Sequence, residues 1–375
     1  MPAVYIVADN IYSPIGTSTA QNFERIKQGI SGIKKHNDPA LSYESVHVSL
    51  FNYNESENVN QFKNSKFEDL LIASVKDALT DSGIDATDEK TILIVSSTKG
   101  NISLLETEPA APDLENRIAL HTSAKLVAKH FGFVNQPLVV SNACISGIMA
   151  ILTGARLLQS GQYENAVVVG ADVISKFVLS GFQSFQAISS EPCKPFDENR
   201  TGITLGEGAA TMILSTNAKY ADRIKVLGGA VSNDANHISA PSRTGKELSE
   251  AIERTLSIAG LVPDDIDLIS AHGTATSYND EMEAKAIALS GLSIVPVNSL
   301  KGYYGHTLGA AGLIESIISI HSLKQNVILP TLGFEKIGVS SPINVCTALT
   351  SKRLKTCLKT ASGFGGCNAA VVFSK

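Results

Sequence analysis

Val139-Val140-Ser141-Asn142-Ala143-Cys144-Ile145-Ser146-Gly147 reads as an apolar strand that ends in a turn, presents one cysteine there, and opens an apolar helix over 145–158. Continuous rather than alternating apolarity marks a strand covered on both faces. The same kind of run recurs at 5–7, 91–95, 137–140, 166–169, 209–214, 268–270, 295–298 and 369–373, with helical patterns between at 67–82, 123–131, 146–160, 245–260, 280–289 and 310–324. Strands alternating with helices of this length predict a layered α/β fold. The two ends of the chain follow one plan, each running strand, crossover helix, strand, and each placing reactive residues where a strand meets a glycine-rich turn. The polar stretch 215–222 is the natural seam, so the predicted halves are 1–222, which holds the cysteine, and 223–375.

Composition narrows the classes of function. A chain of 375 residues with 43% hydrophobic content can bury a large core. A formal net charge of −5, with no basic run interleaved with aromatics, disfavours nucleic acid as a partner. The cysteines, at 144, 193, 346, 357 and 367, are odd in number and lack paired short spacing, which predicts reduced thiols and neither a disulfide framework nor a metal site. The apolar opening, 2–8, has no basic region before it and runs into Asp9 and Asn10, so it reads as a first strand rather than a signal peptide. No stretch approaches the roughly 20 apolar residues of a membrane span. The expectation is a cytoplasmic protein, with residues 52–64 as an exposed polar loop.

Two further stretches share the context of Cys144: Ala271-His272-Gly273-Thr274-Ala275-Thr276 and Lys301-Gly302-Tyr303-Tyr304-Gly305-His306. A thiol at a helix N-terminus sits at the positive end of the macrodipole, which predicts a lowered pKa, and the free N–H groups of that turn offer an oxyanion hole. The competing reading is a packed thiol, just as either histidine alone reads equally as a satisfied core residue. Together, a thiol and two neutral imidazoles can accept an acyl group and then hold the charge on a thioester oxygen while carbon dioxide departs, with no metal or organic cofactor. Lys301 precedes His306 by five residues, and Asp280 and Glu283 follow His272; buried together they would set the electrostatics of the pocket, whereas on the surface they would be solvated. Gly363-Phe364-Gly365-Gly366-Cys367-Asn368 reads as a gate or as a tight turn.

In order and spacing these motifs resemble the β-ketoacyl-acyl carrier protein synthases of the thiolase-like superfamily, of the elongating Cys-His-His type. The resemblance runs from Ser13-Pro14-Ile15-Gly16 through the cysteine turn, Pro195-Phe196-Asp197 with Arg200, Gly206-Glu207-Gly208, the His272 run, Asn298-Ser299-Leu300-Lys301 with Gly305-His306, and the closing Phe364 loop. It implies a layered α-β-α-β-α fold of two similar halves. It further implies Cys144 as acyl acceptor, His272 and His306 as aids to decarboxylation and condensation, Lys301 with Glu283 as support, and Phe364 as a gate whose N–H joins that of Cys144 in the oxyanion hole. Priming synthases carry asparagine where His306 stands, so the elongating role is the one implied. Departures are a segment, 100–121, that looks trimmed, and Cys367 where threonine is usual; they leave acyl chain length and pathway open among fatty acid, polyketide and aryl polyene synthesis.

The resemblance also implies an acyl carrier protein as partner and a homodimer, with a heterodimer as the other option and the strand near Val167 as the expected pairing strand. Carriers of this family are acidic, so docking is expected on Lys63, Lys66 and Arg200, although Arg200 reads equally as a buried partner of Asp197. A non-catalytic or chain-length-determining heterodimer partner is the alternative function, against which intact Cys144, His272, Lys301 and His306 weigh. A cysteine hydrolase would leave the second histidine and Lys301 without a task.

Overall fold

Ten strands fall into two groups of five with the same internal order. The first group is β1 (Val4–Tyr12), β2 (Thr91–Ser96), β3 (Leu138–Val140), β4 (Asn165–Asp172) and β5 (Gly208–Ser215), arranged β1-β5-β4-β2-β3. The second is β6 (Lys225–Asn233), β7 (Leu268–Ser270), β8 (Pro296–Asn298), β9 (Thr356–Gly363) and β10 (Cys367–Ser374), arranged β6-β10-β9-β7-β8, with the two-residue strand Asn344–Val345 added at the β8 edge. In each group the fifth strand is antiparallel to both its neighbours, while the fourth, second and third run parallel. The two sheets meet where β1 pairs with β6 through Val4↔Val226 and Tyr5↔Lys225. The computed structural model describes residues 2–51, 64–235 and 239–375.

Helices complete five layers. On the first sheet lie α1 (Lys66–Ser82) and α2 (Leu120–Phe131); on the second lies α5 (Lys246–Ala259), with α6 (Ser277–Leu289) beside it. α1 starts at a capping box, Ser65 with Glu68, and stops at Gly83 in the left-handed conformation. Between the sheets run α3 (Ser146–Gln159) and α7 (Ala311–Gln325), which touch strands of both. α7 is buried on nearly every side, as a helix covered by two sheets must be, and over its buried length it carries aliphatic and small residues with one glutamate, Glu315. The central pair packs closely because Gly147 has no side chain: a Cβ there would lie 2.6 Å from the backbone nitrogen of Leu313. No helix among the described residues is long and apolar enough to cross a membrane.

Three expectations change. β4, which carries Val167, lies between β2 and β5, so both its edges are occupied and it cannot pair with a second chain; among the described residues β3 is the edge strand of that sheet. That position also explains why β3 is partly exposed rather than covered on both faces. β6, β9 and a helix α4 (Lys176–Ser184) are absent from the pattern of apolar runs. Gly228-Gly229 interrupts β6, and Lys359-Thr360 interrupts β9 with polar side chains that are nonetheless fully buried.

Candidate active site

Each site residue leaves the end of a sheet strand. Beyond β3 the chain turns through Ala143, which holds φ 42°, and delivers Cys144 two residues before α3. Ser146 braces this turn: its hydroxyl accepts from the Asn142 N–H at 2.8 Å and donates to the Ala143 carbonyl at 2.6 Å. Beyond β7 come His272 and the turn with Ala275 at φ 62°; beyond β8 come Lys301, His306 and Leu308 at φ 51°. A non-glycine residue at positive φ is costly, and one stands within three positions of each of the three reactive side chains.

The structure brings those side chains together. Cys144 Sγ and a ring nitrogen from each of His272 and His306 lie within 4.8 Å of one another, all three residues are buried, and the imidazoles meet edge to face with centroids 5.1 Å apart. They line a pocket of about 300 Å³ together with Phe182, Phe185 and Phe364. The Phe364 ring stacks on Phe182 at 5.6 Å and meets Phe185 edge-on at 5.4 Å. Glycine at 363 lets that loop press on the cysteine turn, since a Cβ there would sit 2.9 Å from the Cys144 nitrogen. A thiol and two imidazoles at this spacing are also donors that suit a soft metal ion.

The hydrogen bonds assign one tautomer. His306 Nδ1 accepts from the Leu308 N–H at 3.2 Å, so the neutral ring carries its proton on Nε2, which is buried without a partner. Burial, then the charge of Lys301, holds both histidines well below the usual imidazole range. Among the described residues no side chain or backbone group hydrogen-bonds the His272 ring, and its Nδ1 is buried and unpartnered. Its placement comes from the backbone: Glu283 accepts from the N–H groups of His272 and Gly273 at 2.8 and 2.7 Å, and Lys301 Nζ donates to the His272 carbonyl at 2.9 Å. Asp280 does the same work one turn on, accepting from Thr274, Ala275 and Phe196, and burial raises its carboxyl to about 6.

The thiol departs from expectation. Burial, reinforced by the neighbouring Cys367, pushes Cys144 up to about 12, and the opposing pull of Lys301 is smaller, so the buried site favours the thiol over the thiolate. Because only the thiolate alkylates, the rate with iodoacetamide should climb about tenfold per pH unit from pH 7 to 9 without levelling. A plateau by pH 8 would show that the thiolate dominates at neutral pH.

The carboxylate facing Lys301 is Glu315 of α7, not Glu283. Glu315 also pairs with Lys359 of β9 at 2.6 Å, and both lysines are fully buried. Neither Glu315 nor Lys359 stands out as a motif, although a glutamate inside the apolar run 313–320 is a signal for a buried charge. Two of the three docking cations are likewise engaged. Lys63 lies outside the described residues. Lys66 Nζ sits 2.5 Å from the buried carboxylate of Glu207. Arg200 donates to the carbonyls of Asp197 and Gly338 at 2.9 and 2.6 Å, so it binds the backbone of Asp197 rather than its carboxylate. Reversing charge by Lys66→Glu would therefore set two carboxylates together and should cost on the order of 3 kcal/mol of folding stability in a denaturant titration. An unchanged midpoint would return Lys66 to the free surface cations.

A profile of the β-ketoacyl synthase N-terminal domain matches residues 1–219, and one of the C-terminal domain matches 224–335. The 3-oxoacyl-[acyl-carrier-protein] synthase 2 of Vibrio cholerae serotype O1 is 28% identical over 411 residues, covering 99% of each chain. A putative mitochondrial 3-oxoacyl-[acyl-carrier-protein] synthase of Schizosaccharomyces pombe is 26% identical over 424 residues, covering 100% of this chain and 99% of its own. Among solved structures, a β-ketoacyl synthase from Burkholderia phymatum aligns with a TM-score of 0.90 at 23% identity over 100% of both chains. A ketosynthase in complex with its chain length factor from Xenorhabdus doucetiae aligns at 0.89 with 24% identity, covering 100% of this chain and 98% of the other. At such identities the structural likeness speaks for the fold, and the two profiles, which span most of the sequence, speak for the family. This chain belongs to the β-ketoacyl synthases, a family of condensing acyltransferases.

Proposed function

We propose that this protein is an elongating 3-oxoacyl-acyl carrier protein synthase in which Cys144 carries the acyl chain. The observation that carries the reading is the convergence of one buried thiol and two neutral imidazoles on a single pocket. The thiol attacks the carbonyl of an acyl thioester; its proton passes to His272, whose ring has a free nitrogen, and then to the departing carrier thiol. The N–H groups of Cys144 and Phe364 hold the tetrahedral oxyanion. A malonyl thioester then enters. Its carbon–carboxylate bond breaks, carbon dioxide leaves, and the electron pair rests on the thioester oxygen as an enolate that accepts the Nε2–H of His306 and a hydrogen bond from His272. The enolate carbon attacks the acyl carbonyl, and the Cys144 thiolate leaves and takes up one proton from solvent, the proton that decarboxylation consumes overall.

An acyl carrier protein delivers both substrates in this scheme, and the names of the curated relatives support that choice. The pathway is fatty acid, polyketide or aryl polyene synthesis. The open edge of β3 is the surface on which a second chain would pair, as a homodimer or with a chain-length partner. Intact mass spectrometry after incubation with an acyl carrier thioester, combined with carbon dioxide release from malonyl carrier, tests the assignment. Acylation without decarboxylation would leave the hydrolase or the non-catalytic partner.

A further inference from the structure

Two buried ammonium groups, not one, support the turn that carries His272. Lys359 stands opposite Ser270 in the parallel ladder of β9 and β7, the last rung before the chain leaves the sheet. Its Nζ donates to the carbonyls of Ser270 and Ala271, each at 3.1 Å, while Lys301 Nζ donates to the next carbonyl, that of His272. Both ammoniums share Glu315, one on each carboxylate oxygen. Three consecutive carbonyls, 270 to 272, thus hang from one Lys–Glu–Lys unit. On the other side of the same peptides, Ala271 N–H donates to the Asn298 carbonyl at 2.8 Å and Glu283 holds the next two N–H groups. Counting Glu283, the two lysines and two glutamates form a buried set without net charge. Such a set is costly to assemble, and removing one member strands the others.

We propose that Lys359 is a positioning residue for His272: it fixes the exit of β7, and through it the imidazole, which has no side-chain hydrogen bond among the described residues. His306 depends on it less, because the Leu308 N–H holds that ring directly. The proposal rests on the reading of His272 given above. A displacement of about 1 Å at a reacting group is enough to cost roughly 10²-fold in rate.

A double-mutant cycle on malonyl-carrier decarboxylation separates positioning from a general structural role. Lys359→Met should slow decarboxylation about 10- to 100-fold in the otherwise unaltered protein and in the His306→Ala protein, yet by less than about twofold in the His272→Ala protein, where there is no imidazole left to misplace. The same factor in all three backgrounds would overturn the proposal. A His272→Ala protein that decarboxylates at the unaltered rate would overturn the role of His272 and the proposal with it, a failure visible in that single variant alone. If Lys359→Met does not yield folded protein by circular dichroism, Lys359→Gln, which keeps a hydrogen-bond donor, carries the same cycle. Loss of fold in both would overturn positioning in favour of a folding role.

Discussion

A Cys144→Ala protein is expected to take up no acyl group from an acyl thioester and to lose condensation by at least about 10⁴-fold. Tethering one substrate to the protein turns a bimolecular encounter into a unimolecular one, an advantage worth roughly 7–11 kcal/mol when the geometry is right. No other cysteine can take over. Cys367 also lies beside the pocket, but its sulfur points away from the imidazoles, to the carbonyls of Asn142 and Phe364. Decarboxylation of malonyl carrier by the same variant should stay within about tenfold, because both imidazoles remain. Intact mass and carbon dioxide release are the two readouts. Continued elongation by Cys144→Ala would remove Cys144 from the nucleophile's place.

His306→Ala should lower carbon dioxide release by about 10²- to 10³-fold while changing acylation of Cys144 by less than about threefold. The size follows from the loss of one preorganised donor to a developing oxyanion, worth roughly 2.7–4 kcal/mol. The selectivity follows from the tautomer: with Nδ1 occupied by the Leu308 N–H, the ring meets the pocket only as an Nε2–H donor, so it stabilises charge and takes no proton from the thiol. The pH dependence has a definite sign. A depressed imidazole pKa means that the neutral form persists on acidification, so the rate of decarboxylation should be flat between pH 8 and pH 6 and should fall only below. A variant that loses acylation but decarboxylates normally would exchange the roles of the two steps.

Much of this site is legible in the chain because it depends on local signals. A buried strand shows as a run of β-branched residues. A turn with positive φ shows as glycine or as a small residue such as Ala143 or Ala275. The convergence of Cys144, His272 and His306 was legible only because each stands at the same kind of junction, a strand end followed by a glycine-containing turn. The duplicated strand order makes those junctions meet. The strands that escaped notice, β6 and β9, carry glycines or charges where an apolar run is expected, and β9 carries the buried Lys359.

Sequence alone determined the layered fold and the strand-end turns at which Cys144, His272 and His306 stand, since each follows from periodicity and backbone preference within a few positions. Tertiary structure alone decided which charges meet. Glu283 lies nearer His272 in sequence and binds its backbone, whereas Glu315, on a central helix between two sheets, takes Lys301 and Lys359. It also decided that Lys66 belongs to Glu207, that β4 is interior, and that burial pushes the Cys144 thiol up rather than down. Those outcomes depend on burial and on contacts between distant segments. Desolvation and Coulomb energies are set by distance in space, and neither spacing nor composition encodes that distance.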